Sequence, residues 1–459
     1  MYQFNGNDDT IAAIATPLGA GGIGIVRLSG PQAISIVGTI VILKNKLLFA
    51  QQKSFTVALG WVMDNGQIID EALITIMRAP KSYTTQDVVE LSVHGGVITL
   101  QNVLHLVLKH GARLAEPGEF TKRAYLFGRI DLPQAEAVLD IIQAKTKDFL
   151  RVSQYQLKGD LSQELDAIRE EMMSLYTHIE ALINFPEDDI DADDRARITM
   201  RLSAVHARIG RLLVSSQHGR ILKEGIRIVL CGKPNVGKSL LLNVLLKQDR
   251  AIVTDIAGTT RDALEETAQI KGIPLHLVDT AGILEPRDLI EEEAIKRSHL
   301  FIDSADLVLL IMDASRPLED ADRLLINKLQ GRNLLVVLNK TDLPQVIDDA
   351  QLPEAKTVRI SALVKTAIED LEQAIVDLVY QGVEGQAGAI IVSNARHIQA
   401  LETARGLLEE AVPLVKGNAS WEFVSQNIKD AVNQCDALTG RNIDSDLIDK
   451  IFAEFCIGK

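Results

Sequence analysis

The chain has 459 residues, with 48 Lys and Arg against 62 Asp and Glu, and a formal net charge of −14. At roughly 100–200 residues per domain, this length predicts about three domains. Apolar residues make up 47% and charged residues 24% of the chain, which excludes intrinsic disorder as the main state. The acidic balance argues against a general basic surface that coats nucleic acid, but it leaves room for a local basic patch.

Membrane and secretion signals are not apparent in the sequence. No stretch approaches the ~18–20 apolar residues that span a bilayer, and no basic residue precedes Arg27 in the way a signal peptide requires. The three cysteines, Cys231, Cys435 and Cys456, are too few for a disulfide framework and lack metal-ligand spacing. We therefore expect a cytoplasmic protein without stable membrane insertion.

Residues 1–118 show the pattern of an α+β domain, and residues 119–222 that of a helical domain. Glycine and proline separate short apolar stretches in the first region, which predict strands, whereas the helical spacing of apolar residues runs over 134–183 and 196–222. The acidic segment 186–194 fits a solvated loop better than a calcium site, because it lacks a Gly turn and a bidentate Glu. The predicted elements of the first region are strands Ile11–Ala15, Ile23–Leu28, Glu71–Met77 and Val88–Val93 and a helix over Leu100–Lys109.

Residues 223–381 alternate strand and helix patterns, and the helical pattern returns over 382–459. This alternation predicts a mostly parallel sheet with crossover helices. The simplest layout is a discontinuous helical domain with an inserted α/β domain, so residues near 222 and 382 should be neighbours. The predicted strands are Ile226–Leu230, Leu275–Val278, Leu307–Met312, Leu334–Leu338 and Thr357–Ile360.

The segment Gly232–Ser239 (GKPNVGKS) matches the phosphate-binding loop pattern. A strand precedes it and a helical run follows it, as the pattern requires, and this context disfavours a Gly-rich turn without a ligand. Backbone N–H groups of the loop and the helix N-terminus would surround a phosphate. Lys238 would reach the β- and γ-phosphates, and the Ser239 hydroxyl would bind Mg²⁺.

Three further motifs follow in the order expected for a GTP-binding domain. Asp279–Gly282 (DTAG) ends a strand, where an Asp can hold the Mg²⁺ shell and a Gly N–H can sense the γ-phosphate. Asn339–Asp342 (NKTD) places Asp342 to accept hydrogen bonds from guanine N1–H and N2–H₂, which adenine lacks. Ser361–Leu363 (SAL) suits a contact to guanine O6. Together with the phosphate-binding loop, these motifs predict a GTP-binding domain.

These motifs resemble those of the small G domains related to translation factors, and the whole chain resembles the MnmE (TrmE) family of tRNA modification GTPases. The resemblance includes TDIAGTTRD at Thr254–Asp262, PLGAGGIGIVRLSG, GEFTKRAYLFGRIDLPQAEAVLDII and the C-terminal FCIGK. It implies an N-terminal α+β folate-binding-type domain that dimerises, a discontinuous α-helical domain and an inserted Ras-like P-loop G domain. The residues implied in GTP binding are Asn235, Val236, Gly237, Lys238, Ser239, Leu240, Thr254, Asp255, Ile256, Ala257, Gly258, Thr259, Thr260, Asp279, Thr280, Ala281, Gly282, Asn339, Lys340, Thr341, Asp342, Ser361, Ala362 and Leu363.

The source of catalytic charge and water orientation is not apparent in the motifs themselves. Ile283 stands where many G domains carry a water-orienting Gln, and no arginine finger is evident. The resemblance implies a K⁺ ion in place of the finger, with G domains that dimerise across their nucleotide faces. It also implies that Glu291 orients the attacking water. Two alternatives remain open: another acid of Glu291–Glu293 could have this role, or these acids could only form the acidic N-terminus of a helix. The implied ligands are Asn235, Thr254, Ile256 and Thr259 for K⁺, and Ser239 and Thr260 for Mg²⁺; Asn235 could instead only stabilise its loop.

The resemblance further implies that a 5-formyl-tetrahydrofolate-type one-carbon carrier binds at a homodimer interface of the N-terminal domain. Cationic side chains could hold the carrier's carboxylates, and a Glu could accept from pterin N–H donors, although each residue alone is more often a surface charge. Cys456 could be a catalytic thiolate or a small apolar anchor for the tail, while Cys231 and Cys435 suit structural positions. The implied folate-binding residues are Arg27, Glu90, Arg129 and Lys459.

The predicted function is a K⁺-stimulated GTPase that modifies C5 of the wobble uridine of certain tRNAs. The resemblance implies a carboxymethylaminomethyl- or aminomethyl-type product and a flavoprotein partner, MnmG (GidA). The alternative is a regulatory GTPase switch in ribosome assembly that binds RNA without modifying it. The sequence contains no GXXG-bearing KH-like segment and no second G domain, which disfavours this alternative.

Overall fold

The computed structural model describes residues 9–45, 48–184, 192–248, 265–279, 301–380, 390–417 and 419–459. Packing divides the chain into two compact units, which we describe separately. The first comprises residues 1–139, 156–169 and 432–459, and the second residues 140–155 and 170–431. Over the described ranges, no helix combines the length and apolarity that crossing a membrane requires.

The first unit contains a seven-stranded sheet in the order β3-β4-β5-β6-β2-β1-β7. Its neighbouring strands are antiparallel except for the parallel pair β1 and β7. All four strands predicted for this region are present. The strands are β1 (Ile11–Ile14), β2 (Gly21–Ser29), β3 (Val41–Leu43), β4 (Thr56–Asp64), β5 (Gln67–Met77), β6 (Val88–Gly95) and β7 (Arg113–Leu114).

Helices α1 (Ala33–Ile40) and α2 (Val97–Lys109) cover one face of this sheet and form the core with it. Helix α2 extends the predicted helix by three residues at its N-terminus. Strand β4 was not predicted, because its inward side chains include Ala58 and Gly60 while its outward ones include the apolar Val57 and Leu59. The usual alternation of apolar inward and polar outward residues is therefore hidden in this strand.

Helical segments and the C-terminal tail complete the first unit. Helix α3 (Glu119–Leu126), the start of α4 (Leu132–Gln143) and α13 (Ser445–Ala453) share an apolar cluster that ends at the buried Phe455. The N–H of Phe120 donates to the Lys459 carbonyl at 3.1 Å. Gly458 has φ +95°, and a Cβ there would lie 2.4 Å from the Ile14 carbonyl oxygen. Only glycine therefore lets the tail lie this close to β1.

The predicted helical region over 134–183 consists of three helices rather than one continuous run. Breaks occur at residues 144–146 and at Gly159, whose φ is +100°. In the second unit, α7 packs along α11, and the guanidinium carbon of Arg195 lies 4.3 Å from the Trp421 ring centroid. The helices are α5 (Lys147–Lys158), α6 (Asp160–Asn184), α7 (Ala192–Glu224), α11 (Ala395–Lys416) and α12 (Trp421–Thr439).

The second unit also holds a six-stranded sheet in the order β13-β12-β11-β8-β10-β9. All five predicted strands are present and parallel, whereas the edge strand β9 is antiparallel and escaped prediction because EETAQI is largely polar. The elements are β8 (Ile226–Cys231), α8 (Lys238–Gln248), β9 (Glu265–Ile270), β10 (Ile273–Asp279), β11 (Leu307–Asp313), α9 (Asp320–Lys328), β12 (Leu334–Asn339), β13 (Lys356–Arg359) and α10 (Ile368–Val379).

The two ends of the inserted α/β segment lie close together. The His218 ring near the end of α7 stacks on the Tyr380 ring just after α10, with centroids 4.7 Å apart. The N–H of Val392 donates to the Ser215 hydroxyl at 3.3 Å. Residue 382 itself lies outside the described ranges. These contacts bring Tyr380 and Val392, on either side of it, to the end of α7, and the insertion stays a prediction.

Candidate functional site

The loop Gly232–Ser239 joins β8 to α8, and its glycines permit the tight turn. Gly232 has φ +151°, and a Cβ there would lie 2.3 Å from the Ile311 carbonyl oxygen. Gly237 has φ +100°, and its Cβ would lie 2.3 Å from the Asn339 side-chain nitrogen. A side chain at either position would push the loop off the sheet, so both glycines are required for a loop that can surround a phosphate.

Lys238 occupies the first helical position after the loop. Only 5% of the residue is exposed, and its ammonium donates to the carbonyls of Gly232 at 2.8 Å and Lys233 at 2.7 Å. These two bonds hold the charge against the loop, at the N-terminus of α8, where an anion is favoured. Ser239 follows on the first turn of α8, Val236 is buried and Leu240 is partly exposed.

Asn339 connects the phosphate-binding loop to the base-binding loops. Its side-chain nitrogen donates to the Val236 carbonyl at 2.8 Å, and its side-chain oxygen accepts from the Ala362 N–H at 2.9 Å. The residue is buried, so both bonds are shielded from water. The sequence motif predicted Asn339 as a site residue but did not predict that it bridges these loops. The available signal was a polar residue at the end of an apolar strand.

Asp342 and Ser361 meet at the end of the sheet, as the predicted guanine contacts require. The Ser361 hydroxyl donates to Asp342 Oδ1 at 2.5 Å. Ser361 is buried and Asp342 is exposed, so the hydroxyl orients the carboxylate while leaving it accessible to a ligand. Thr341 is fixed by an N–H bond to the Ile360 carbonyl, and Leu363 is exposed beside this loop.

A short acidic segment, Asp313–Asp322, holds both nucleotide-binding loops and was not singled out in the sequence. At one end, the Lys340 ammonium lies 2.6 Å from Asp313 Oδ2. At the other, the Lys233 ammonium lies 2.6 Å from Asp322 and 2.9 Å from Glu319. The segment therefore fixes the base loop and the phosphate loop to a common support.

The ionisation of these pairs reflects the same contacts. Burial alone would raise the pKa of Asp313, but hydrogen bonds from Lys340 and Ser315 outweigh it and lower that pKa. Burial alone would lower the pKa of Lys233, but hydrogen bonds to Asp322 and Glu319 outweigh it and raise that pKa. The Asp313 carboxylate and the Lys233 ammonium therefore stay charged over a wider pH range than isolated side chains would.

Among the predicted nucleotide-site residues between positions 254 and 291, Asp279 is the one that lies in the described part of the chain. Asp279 ends β10 directly opposite Leu230 of β8, which brings its backbone beside the strand that enters the phosphate-binding loop. The other predicted residues of this set lie outside the described residues: Thr254, Asp255, Ile256, Ala257, Gly258, Thr259, Thr260, Thr280, Ala281, Gly282 and Glu291.

The four residues implied in folate binding lie around two aromatic rings of the first unit. Arg27 Nε donates to Glu90 Oε1 at 2.7 Å, and Arg27 Nη1 donates to the Gly458 carbonyl at 3.3 Å. The Lys459 carbonyl accepts from the N–H of Phe120, whose ring lies 5.6 Å from the Arg27 guanidinium carbon.

Tyr83 is the residue that sequence reasoning missed in this set. Its ring centroid lies 4.7 Å from the guanidinium carbon of Arg129 and 6.0 Å from that of Arg27, which places it between the two cations. An open groove of about 510 Å³ begins beside it and is partly apolar. The available signal was a single aromatic residue in the polar segment SYTTQD. The groove is lined chiefly by Phe55, Met77, Pro80, Tyr83, Phe127 and Arg129.

The three cysteines occupy different environments. Cys456 is exposed, whereas its neighbour Phe455 is buried and lies 5.3 Å from the Phe452 ring, so Phe455 is the apolar anchor of the tail. Cys231 and Cys435 are buried. Burial raises the pKa of the Cys435 thiol to about 12, which keeps it protonated and unreactive.

Comparison with known proteins covers both units. A family model described as the MnmE helical domain matches residues 132–456, and a second, described as the GTP-binding protein TrmE N-terminus, matches residues 10–129. The chain belongs to the MnmE family. It is 42% identical over 458 residues to the tRNA modification GTPase MnmE of Alkaliphilus oremlandii, covering 98% of this chain and 99% of the relative. The MnmE of Thermoanaerobacter pseudethanolicus is 44% identical over 457 residues, with the same coverage.

The MnmE family membership agrees with the geometry of the described nucleotide site. The family's members above are named GTPases, and this chain carries the phosphate loop, Lys238 and the Asp342–Ser361 pair in one site. The relatives span the whole chain, so the MnmE resemblance extends beyond the inserted domain to the N-terminal and helical regions.

Proposed function

We propose that this chain is a GTPase that takes part in modifying C5 of the wobble uridine of certain tRNAs. The near full-length similarity to proteins named tRNA modification GTPase carries the proposal. The product would be of the carboxymethylaminomethyl or aminomethyl type, and a flavoprotein of the MnmG (GidA) kind would act with it. Because GTP and tRNA are both cytoplasmic substrates, we place this activity in the cytoplasm.

The described residues support distinct roles toward GTP. The backbone of the phosphate loop and the Lys238 ammonium would hold the β- and γ-phosphates. The Asp342 carboxylate would accept from the guanine N–H groups, the segment Ser361–Leu363 would contact O6, and the Ser361 hydroxyl would orient Asp342. Ser239 and Thr260 would hold Mg²⁺, which supplies charge stabilisation at the bridging phosphate oxygens.

We further propose that K⁺ assists hydrolysis in place of an arginine finger. Asn235 has φ +66° and is exposed on the phosphate loop, so its side-chain amide is accessible beside the phosphates. Thr254, Ile256 and Thr259 are the further ligands that the resemblance implies, and each would contribute an oxygen atom to the K⁺ site. Glu291 would orient the attacking water.

Turnover of GTP should be at least about tenfold faster in K⁺ than in Na⁺ at equal ionic strength, because a correctly sized cation stabilises the developing charge. Asn235→Ala should abolish most of this difference. Asn327→Ala, which changes an exposed Asn on α9, is the matched control and should keep it. Steady-state phosphate release measures the effect, and equal wild-type rates in both salts would contradict the K⁺ proposal.

The N-terminal sheet supports a homodimer with the folate-type ligand near its interface. One face carries exposed Ile42, Val57 and the directly paired Leu59 and Leu73. Glu90 pairs with Thr75, and Thr75 pairs with Val57, so the Arg27–Glu90 pair lies on the same face. A second copy seated there would remove apolar surface from water next to the ligand residues.

The exposed Cys456 would be available for nucleophilic chemistry on the substrate uridine or an intermediate. Cys456 is the fourth residue from the C-terminal end of the sequence, in the tail whose backbone contacts Gly118 and Phe120. The apolar-anchor alternative is less favoured, because Phe455 provides the buried contact. The catalytic role of Cys456 stays a proposal.

Nucleoside analysis of tRNA from a strain that lacks this gene tests the function. The wobble modification should disappear and should return with the wild-type gene, but not with a Lys238→Ala gene that cannot hold the phosphates. Intact modification in the deletion strain would contradict the proposal. If the modification persists and ribosomal subunits accumulate unassembled, the alternative role in ribosome assembly would be favoured.

A further inference from the structure

The net charge of −14 raises the question of where this protein could contact a polyanion such as tRNA. Many surface cations are already neutralised; for example, Arg201 is paired with Glu171 and Lys356 with Asp377. In contrast, Lys145, Lys147 and Arg151 form no ion pair with any residue that the structure describes. Three exposed, unneutralised cations within seven residues are unexpected in an acidic chain.

Lys147 and Arg151 lie on one exposed stripe of α5, and Lys145 lies two residues before the helix begins. Lys147, Arg151 and Tyr155 follow at four-residue spacing, which places them on one helix face at steps of about 6 Å. The opposite face is buried through Phe149 and Ser153. The basic stripe, defined as Lys145, Lys147, Arg151 and Tyr155, is therefore presented to solvent by the packing of the helix.

The stripe also contains a platform for an aromatic ligand. Tyr155 is 48% exposed, and the guanidinium carbon of Arg151 lies 5.9 Å from its ring centroid. Such a large exposed aromatic surface can stack on an unpaired base, while the adjacent cations contact phosphates. An acidic protein partner would use the cations but would give no role to the stacked ring.

The one acid within this segment points away from the stripe. A Cβ added to Gly272 would lie 2.2 Å from Asp148 Oδ2, so the Asp148 carboxylate faces the turn between β9 and β10. It therefore does not neutralise Lys147 or Arg151. The stripe itself carries three cations and no acid, even though the chain as a whole is acidic.

We propose that the basic stripe of α5 is a contact surface for tRNA, with phosphates on Lys145, Lys147 and Arg151 and an unpaired base on Tyr155. This inference rests on the proposed tRNA-modifying function and adds the place where the RNA is held. Because each phosphate contact made by a cation releases counterions, the stripe should contribute a measurable share of the salt-dependent affinity.

Binding of the full-length protein to an unmodified tRNA transcript with a wobble uridine tests this inference. Fluorescence anisotropy over a series of KCl concentrations gives the slope of log affinity against log salt. Lys147→Gln with Arg151→Gln should lower the magnitude of that slope by about 1.4–1.8, at roughly 0.7–0.9 for each lost phosphate contact. Tyr155→Ala should weaken binding about fivefold or more, and Tyr155→Phe should restore it.

The matched control is Arg323→Gln with Lys328→Gln, which removes two exposed cations of α9 that form no ion pair within the described part of the chain. It changes the net charge equally and should leave the slope unchanged. GTP hydrolysis without tRNA should match the wild type in every variant, which shows that the fold is intact. If the wild-type protein binds tRNA and the stripe and control variants show equal slopes, the inference about the stripe is overturned while the proposed function is not affected.

Two other outcomes would also overturn it. If the stripe variants lose affinity for the flavoprotein but not for tRNA, the stripe is a protein contact. If the wild-type protein itself shows no tRNA binding and no effect on modification, the proposed function fails together with the inference.

Discussion

Asp342→Asn should weaken GTP binding by about 10²–10⁴-fold, because a site built to accept two guanine N–H bonds would present a donor to one of them. The same variant should bind xanthosine triphosphate better than the wild type does, since xanthine carries an oxygen where guanine carries its amino group. The Ser361 hydroxyl, 2.5 Å from Asp342 Oδ1, can still donate to the Asn oxygen, so the loop should keep its shape.

Asp349→Asn provides the matched control for this specificity change. Asp349 is an exposed carboxylate of the same domain that pairs with Arg359. Its substitution removes the same charge and should change the affinity for neither GTP nor xanthosine triphosphate. Competition binding of both triphosphates to both variants measures the switch. An Asp342→Asn protein that binds GTP with wild-type affinity would show that the carboxylate does not read the base.

The nucleotide-binding α/β domain was predictable because its chemistry depends on local sequence order. Each motif follows a strand, and the carboxyl ends of parallel strands meet at one edge, so correct strands sufficed to bring Lys238, Asn339 and Ser361 together. The sequence did not predict the side-chain contacts that hold the two loops in place. The Asp313–Asp322 segment contacts both loops through side chains, and no spacing rule connects Asp313 to Lys340 or Asp322 to Lys233.

The residues predicted to bind a folate in the N-terminal domain came only from family resemblance, and the structure explains why. Arg27 and Glu90 are neighbours because β2 and β6 pair in one register, which the sequence does not encode locally. Tyr83 and Phe120 come from a loop and a helix that converge on the same place. The contact of the tail with β2, from Arg27 to the Gly458 carbonyl, joins residues more than 400 positions apart.

An ionic network around a buried arginine also escaped prediction. Arg123 is fully buried in α3, and its guanidinium donates to Glu119 at 2.9 Å and to Asp9 at 2.6 Å. The half-exposed Arg113 contacts both acids from the other side. In the sequence, GEFTKRA reads as an ordinary charged helix start, and only the packing of α3 against the sheet buries its cation.

Arg123→Met should destabilise the first unit by about 3–5 kcal/mol, because it leaves the buried Glu119 and its partners without their central cation. Arg113→Met is the matched control and should cost much less, since its guanidinium is half exposed and partly screened by water. The chain has only two tryptophans. In a Trp421→Phe background, the fluorescence of Trp61 on β4 therefore reports unfolding of this unit alone.

The pH dependence of the same measurement separates loss of charge pairing from loss of packing. Burial alone would raise the pKa values of Glu119 and Asp9, but hydrogen bonds from Arg113 and Arg123 outweigh it and lower both. A carboxyl with a lowered folded-state pKa stabilises the fold above its unfolded value and loses that contribution as pH falls. Wild-type stability should therefore decline below about pH 4.5, the ordinary value for Glu. Arg123→Met should start lower and decline less steeply over that range, because its carboxyls titrate closer to their unfolded values. Parallel curves for the two proteins would mean that Arg123 acts through packing and not through its charge.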